Sequence, residues 1–589
     1  MRNRIFEKIP VTVPNRSGFD LSHETRGTAK VGILVPVFTR EMEGHDSLSV
    51  NLGAQIQFAP FATDFYGRVK VYFEAFFCPY RIIDGNYKTL YRYSLNQLQG
   101  SGTGEIDQDN VNKYFEGLYV YDLSPRSTTP ISGGTLPKLT SDMTADPTVG
   151  LVGPGTLLDY LDLKISKIVT SSGNAKCLRL NNRHRLDCYH RIYEEYYMDS
   201  RLQKHAYSQF RDMGEATNDQ MLRTMPYRGT PYNNGNKYFL QDGPLLDGVY
   251  LTGLRSRNYS KDYFTTATPD PQYGGELGVT ADANGRITIS QIRVANSLQQ
   301  FVELHNKVGL HYDDLAFALT GIRPSDAAVD IPIYLGRQVY DVYNKSIYQS
   351  NGPSIDGNDD ISGFPVSAIT SGNHNPISGI GAKFANGQAL GSGHICDFTA
   401  TEGGIFMILM SVAPDASYGT GSARQWDYSN IFDLPRAQLQ GIGDQPIYDG
   451  ELVNSEYDAV AGMFVPHLHD NVFGYTQRFA EAKFMNDTTH GQLRDGQPLS
   501  AFALKRSFFN TAPDLGKSFI TVPSSALDEV SAINIATNGS EMNPQSAFGY
   551  WYDVYFDAKL VSNLSAYSIP TLENMKGHVE MVDNGGRRL

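Results

Sequence analysis

From Leu48 to Phe58 the chain alternates without a break. Leu48, Val50, Leu52, Ala54, Ile56 and Phe58 are apolar, and every residue between them is polar or Gly. A period of two sets one face of an extended chain on a core and turns the other toward solvent or a thin covering layer. Val69, Val71, Phe73, Ala75 and Phe77 repeat the pattern, and so do Val554, Phe556, Ala558 and Leu560 near the C-terminus. These positions predict strands, with Leu52, Ile56, Val71, Phe73 and Phe556 in the core. Residues 405–412 are apolar at almost every position, which predicts a central strand covered on both faces. Residues 472–485 read from Tyr475 onward as a half-buried strand. Strands from opposite ends of a chain pair in jelly rolls, where long connections return to the first strands.

Between these strands the period changes. Ile292, Ala295, Leu298 and Val302 line one side of residues 289–308, with polar Gln291, Asn296, Gln299 and Gln300 elsewhere, so an amphipathic helix is expected. Ser290 is its candidate cap. A second short helix is expected over Tyr312–Leu319, ended by Gly321 and Pro324, and a third over Tyr189–His205. Segments 100–175 and 350–400 are rich in Gly, Ser, Thr, Asn and Asp. Connections of that length are unusual in a compact domain unless they are functional or extend over a partner. No fixed-period repeat is present.

Composition supports a mainly β chain. Its 589 residues include 36 Tyr, 30 Phe, 56 Gly and 29 Pro, a balance that favours pleated surfaces and tight turns over helix bundles. Net charge is −13, which does not resemble a free DNA-binding protein. The charge is uneven, however. Residues 1–40 hold seven basic and three acidic residues, a balance of +4, which leaves −17 on the remainder. A basic terminus on an acidic body suits a shell with a cationic lining; a solvated basic tail is the alternative. The longest apolar run is of strand length, so no membrane span is expected. Met1–Pro10 lacks the apolar stretch of a secretory signal. The four Cys, at 78, 177, 188 and 396, form no C-x-x-C and no zinc spacing, so reduced thiols are expected.

Candidate chemistry is sparse. Gly516-Lys517-Ser518 lacks the Gly five residues upstream that a phosphate loop requires; Thr511 stands there and Pro513 removes an amide. Asp356, Asn358 and Asp360 have calcium-loop spacing, but Ile361 and Ser367 occupy the positions that need Gly and Glu. His467 and His469 would share one face of a strand, yet only two metal ligands are visible. Arg183, His184, Arg185, His190 and Arg191 form a basic cluster around Cys188 and Tyr189, suited either to packaged DNA or to a subunit-contact or solvated face. No Ser-His-Asp or Cys-His signature occurs. The sequence therefore predicts no catalytic residue, no metal and no cofactor.

Several segments share a second property. Arg16–His23 reads R-S-G-F-D-L-S-H, Val35–Phe38 reads V-P-V-F, and Phe73–Arg81 reads F-E-A-F-F-C-P-Y-R. Tyr193–Asp199 reads Y-E-E-Y-Y-M-D, Lys261–Gln272 reads K-D-Y-F-T-T-A-T-P-D-P-Q, residues 472–485 open V-F-G-Y, and Trp551–Lys559 reads W-Y-D-V-Y-F-D-A-K. In this order they resemble the signature segments of the major capsid proteins of Microviridae, the small icosahedral single-stranded DNA bacteriophages, in their gokushovirus-like branch. The resemblance spans residue 16 to about 560. It implies an eight-stranded viral jelly roll with long loop and α-helical insertions. A basic N-terminal arm and first segment, 1–40, would precede a single capsid domain, 41–589, with insertions at about 100–180, 186–330 and 340–400. It implies a non-catalytic structural protein of the virion, assembled in the bacterial host cytoplasm from about sixty copies. The enclosed single-stranded DNA would be held without sequence readout. Arg2, Arg4, Lys8 and Arg16 precede the F-D-L-S-H segment and are the candidate phosphate contacts. Minor virion proteins and a host receptor are further partners that the resemblance implies. In that branch a long insertion after P-x-P-Q builds a protrusion on the threefold axis. Here only Tyr273 to Arg286 separate that segment from the next helix, so no such protrusion is expected there. The alternative class is a secreted β-sandwich carbohydrate-active enzyme or an adhesin. The first needs a signal peptide and a cleft with two carboxylates, the second repeats or a stalk.

Overall fold

The computed structural model describes residues 8–59, 61, 65–83, 155–163, 182–199, 201–203, 253–271, 288–308, 312–324, 330–348, 383–453, 471–495, 497–508, 512–527, 549–565 and 577–583. It also gives short strands at 118–120, 178–180, 232–234, 237–241, 457–458 and 463–464. The insertions expected near 100–180 and 340–400 lie largely outside the described residues, as do Cys177, Asp356, Asn358, Asp360, His467 and His469, whereas more than half of 186–330 is described.

The protein is mainly β. Its main strands are β1 (Lys8–Pro14), β2 (Ser17–Asp20), β3 (His23–Ala29), β4 (Val35–Met42), β5 (Ser47–Phe58), β6 (Val69–Pro79), β7 (Ile333–Asp341), β8 (Tyr343–Tyr348), β9 (Lys383–Thr399), β10 (Gly404–Pro414), β11 (Tyr550–Ser562) and β12 (Gly577–Asp583). One sheet has the order β7-β6-β10-β4. The other runs β8-β9-β5-β11-β2, with β3 pairing β11 beyond β2. All of these pairs are antiparallel. The two ends of the chain meet twice: β5 pairs β11 with Leu52 opposite Phe556, and β1 pairs β12 with Lys8 opposite Asp583.

The inner faces of both sheets contribute to one hydrophobic core. Phe38 of β4 meets Phe556 of β11 edge to face at 5.2 Å, and Phe77 of β6 meets Phe398 of β9 at 4.7 Å. Along β5 every even residue from Leu48 to Phe58 is buried, so its period-two pattern is the core face itself. Leu52, Ile56, Val71, Phe73 and Phe556 are all buried, as expected. Strand β10 is buried along its whole length, on both faces.

Strand β6 departs from its pattern. Alternation predicts one solvated face, yet Tyr72, Glu74, Phe76 and Cys78 are buried too. The outer face is covered by helix α1 (His184–Tyr196) and the turn after it. Phe76 packs on Tyr196 at 5.0 Å and on Tyr197 at 6.0 Å, and the Tyr197 hydroxyl donates to Glu74 Oε2. Helix α1 also corrects the expected span of Tyr189–His205. Asn182 Oδ1 accepts the His184 N–H at 2.8 Å and starts the helix early. After Tyr197, Asp199 Oδ1 accepts the Arg201 N–H at 3.0 Å, a local turn that competes with further helix.

Helices α2 (Ile289–Val308) and α3 (Tyr312–Thr320) fall where the period predicts them. The cap of α2 is Thr288, not Ser290. Thr288 Oγ1 accepts the Gln291 N–H at 3.2 Å while Gln291 Oε1 accepts the Thr288 N–H at 2.9 Å, a reciprocal capping box. Gly321 ends α3 at φ 72°, where a Cβ would be strained. Among the described residues no helix is long and apolar enough to cross a membrane.

Helix α1 is tied to β4 by Arg185, whose Nε lies 2.7 Å from Glu41 Oε1. Burial opposes ionisation of Glu41, but the hydrogen bond and charge of Arg185 outweigh it and hold the carboxyl below its ordinary value of 4.5. A depressed carboxylate contributes stability that is complete above its unfolded value and disappears as pH falls through the folded one. Wild type should therefore lose more stability between pH 7 and pH 3 than Glu41→Gln does. Urea midpoints at the two pH values check this; equal acid sensitivity would contradict it.

Candidate assembly surfaces and nucleic-acid contacts

The distinctive sequence segments meet in pairs. Arg16–His23 lies along Trp551–Lys559, with Asp20 opposite Lys559 and His23 opposite Phe556. Phe73–Arg81 is covered by Tyr193–Asp199 through the aromatic contacts of Phe76. Lys261–Gln272 joins the V-F-G-Y segment: Thr268 and Tyr475 exchange backbone bonds of 2.9 and 2.7 Å. Gly474 lets the two segments approach closely there: a Cβ would stand 3.1 Å from the Thr268 carbonyl oxygen and would displace the Leu515 Cδ2 methyl at 2.8 Å.

This last pair builds a second hydrophobic cluster containing Tyr263, Phe264, Ala267, Tyr418, Ile447 and Phe473. Asp262 organises it. Its Oδ1 accepts the Phe264 and Thr265 N–H groups at 3.0 and 2.7 Å, and its Oδ2 accepts the Tyr418 hydroxyl at 2.6 Å. Nearby, burial pushes the Glu451 carboxyl above its ordinary value. Its Oε2 accepts the Tyr263 hydroxyl at 3.0 Å, and its Oε1 lies 3.2 Å from Arg424 Nη1. Both are structural arrangements that tie loops together.

The strand expected from Tyr475 onward is Val472–Gln477 and stops there. Phe479 turns into the left-handed region at φ 60°, and a single 3-10 turn, Ala480–Ala482, follows. The Phe479 ring is buried and its N–H donates to Gln445 Oε1 at 2.9 Å, which holds the strained residue in place.

The basic cluster is interior. Arg183, His184, His190 and Arg191 are buried. Arg183 Nε lies 2.9 Å from Asp187 Oδ2, Arg191 Nη2 lies 2.7 Å from Glu195 Oε1, and Arg255 Nε lies 3.1 Å from His190 Nδ1. These side chains seat α1 on the core and present no cationic face to a polyanion. Sequence spacing holds the pairs Arg183–Asp187 and Arg191–Glu195 at i and i+4, but not the core beneath the helix nor the distant Arg255 that bury the cluster. Gly516-Lys517-Ser518 opens a four-residue helix, Lys517–Ile520, that buries Phe519 and Ile520 in the second cluster. Cys78, Cys188 and Cys396 are buried free thiols. Burial pushes the Cys396 thiol up to about 12. Among the described residues no group of three or more His, Cys, Asp or Glu is placed to hold a metal ion.

Of the four candidate phosphate contacts, Arg2 and Arg4 lie outside the described residues. Lys8 is the first residue of β1. Arg16 is exposed, and its Nη2 donates to Ser47 Oγ at 2.7 Å and to the Val561 carbonyl at 3.1 Å.

What the surface does gather is apolar. No described residue of α2 or α3 is buried, and Val294, Leu298, Phe301, Phe317 and Leu319 are among their exposed side chains, followed by exposed Ile322. A second set lies on residues 424–442 and 484–485, where Trp426 is 86% and Met485 98% exposed. The two stretches are tied together by the Tyr428 hydroxyl, which donates to Glu481 Oε1 at 2.8 Å. Sequence reading set Ile292, Ala295, Leu298 and Val302 on the apolar side of an amphipathic helix, and of these Ile292 and Leu298 are exposed. It passed over 424–442, whose apolar residues follow neither period.

A profile of the Phage_F family, described as capsid protein (F protein), matches residues 8–106 and 276–572. The capsid protein VP1 of Chlamydia phage 1 is 22% identical, covering 98% of this chain and 98% of its own length. The capsid protein VP1 of Bdellovibrio phage phiMH2K is also 22% identical, over 87% of this chain and 89% of its own length. The matched residues carry every strand of the two main sheets, both exposed apolar patches and all but two of the distinctive segments, so the chain belongs to the Phage_F family of capsid proteins.

Proposed function

We propose that the protein is the major shell subunit of a microvirus-like virion. About sixty copies close into a small icosahedral particle, by the symmetry that repeated identical contacts impose. The particle encloses a circular single-stranded DNA and is assembled in the bacterial host cytoplasm. Family membership is the observation that carries this reading. The two main sheets support a rigid wedge. Strands β4 to β11, four in each sheet, correspond to an eight-stranded jelly roll, with β2 and β3 extending one edge. We read residues 41–589 as one capsid domain whose long insertions reach over neighbouring subunits and bury the large interfaces of an obligate assembly. Minor virion proteins and a cell-surface receptor complete its partners.

The N-terminal segment faces the genome in this reading. Its support is the +4 balance of residues 1–40 on a body carrying −17. Arg2, Arg4, Lys8 and Arg16 contact phosphates without reading bases. Each contact releases counterions, so DNA retention weakens as salt rises. Replacing all four by Gln should lower the nuclease-protected DNA per particle and flatten its salt dependence, while circular dichroism stays unchanged. Unchanged DNA content and salt response would refute the assignment.

A further inference from the structure

The helical hairpin α2–α3 presents a physical problem. Ala295, Gln299, Val302 and Glu303 are partly covered, while Val294, Leu298 and Phe301 recur at i, i+4 and i+7 on another side of α2 and stay exposed. An apolar stripe at that spacing is what a helix normally buries. A nine-residue helix such as α3 is marginal alone in water, and none of the hairpin's described side chains is buried against this subunit.

The second patch poses the complementary problem. Trp426, Ile431, Phe432, Ile442 and Met485 stand exposed over a segment made of turns and single 3-10 turns. Most of the exposed large apolar side chains among the described residues belong to these two patches. With about 150–250 Å² for a large aromatic side chain, either patch exposes on the order of 800 Å², the area one partner contributes to a stable interface. Patches of that size on one soluble chain mark contacts with another chain.

Resting on the shell reading above, we infer that the α2–α3 hairpin of one copy docks on the 424–442 and 484–485 surface of a neighbouring copy. One contact then covers both patches. Such a contact is head-to-tail, and head-to-tail contacts generate rings when the rotation closes, as around the symmetry axes of a shell. An isologous contact of the hairpin with itself would leave Trp426 and Met485 uncovered.

The test is inter-copy cross-linking in particles. Copies carrying Leu298→Cys and copies carrying Phe432→Cys are co-assembled and treated with a short bismaleimide. A linked dimer joining the two variants is expected, with little linkage in particles made from either variant alone. Linkage confined to Leu298→Cys with itself, or none in intact particles, overturns the inference. Should the variants fail to assemble, wild-type particles mixed from light and nitrogen-15 copies are treated with an amine-reactive reagent. Mixed-isotope links between Lys307 and Lys483 are expected, and their absence beside other mixed links overturns it. If wild type itself forms no particles, the shell reading fails and the inference falls with it; particles without these links sink the inference alone.

Discussion

Replacing Phe73 by Ala should lower the unfolding free energy of the unassembled protein by about 3–5 kcal/mol. Phe73 is fully buried in β6 and stacks edge-on against Tyr340 of β7 at 6.0 Å. Its backbone lies between Met410 of β10 and Gln338 of β7, so the ring sits at the centre of its sheet. Truncation forfeits the ring's transfer free energy and leaves a cavity that two paired neighbours cannot collapse into. Phe73→Leu keeps much of the volume and should cost less. Equilibrium urea unfolding gives both numbers. A Phe73→Ala cost below about 1 kcal/mol would show that the site relaxes and that the two-sheet core is less tightly packed than described.

Arg257→Met should be comparably severe, by a different mechanism. Arg257 Nη1 lies 2.7 Å from Glu74 Oε2 and 3.2 Å from Ser411 Oγ, and its guanidinium sits 3.9 Å from the centre of the Tyr72 ring. Burial works against the Arg257 charge, but Glu74 outweighs it and raises the side chain's affinity for its proton. Met preserves much of the volume and removes the charge. Glu74, with 10% of its side chain exposed, then keeps the Tyr197 hydroxyl but no cation. Breaking one side of a buried ion pair costs about 3–5 kcal/mol, because the remaining charge is uncompensated. The double change Glu74→Gln with Arg257→Met should recover a substantial part of that loss. Urea unfolding of the two singles and the double closes the cycle. Strict additivity would show that the pair is not coupled.

The strands were legible because their apolar spacing is dictated by the core they face. Leu48 to Phe58 announces its buried face residue by residue, and the continuous run around Ile405 announces two covered faces. The outer face of β6 was not legible, because what covers it, helix α1 and Arg257, lies more than a hundred residues away in the chain. Long-range covering also explains the basic cluster. Arginine next to histidine reads as a cationic surface until acidic side chains and a core are packed around it. The segment after Tyr475 failed for a local reason: alternation continued in the sequence, but Phe479 adopts φ 60°, a conformation that periodicity does not encode. The amphipathic period of α2 was legible as a helix, but what covers its apolar face was not. A period shows that a face needs covering, not which molecule covers it. The distinctive segments carried the family resemblance because they are structural partners of one another, as Thr268 with Tyr475 and Asp20 with Lys559 show.

Assembly is the central claim, and electron microscopy of the purified, expressed protein, paired with its sedimentation over a range of concentrations, tests it most directly. Uniform small closed shells of icosahedral symmetry with a single fast-sedimenting boundary are expected. A stable, well-ordered monomer at every concentration, with no closed particles in the images, would contradict it.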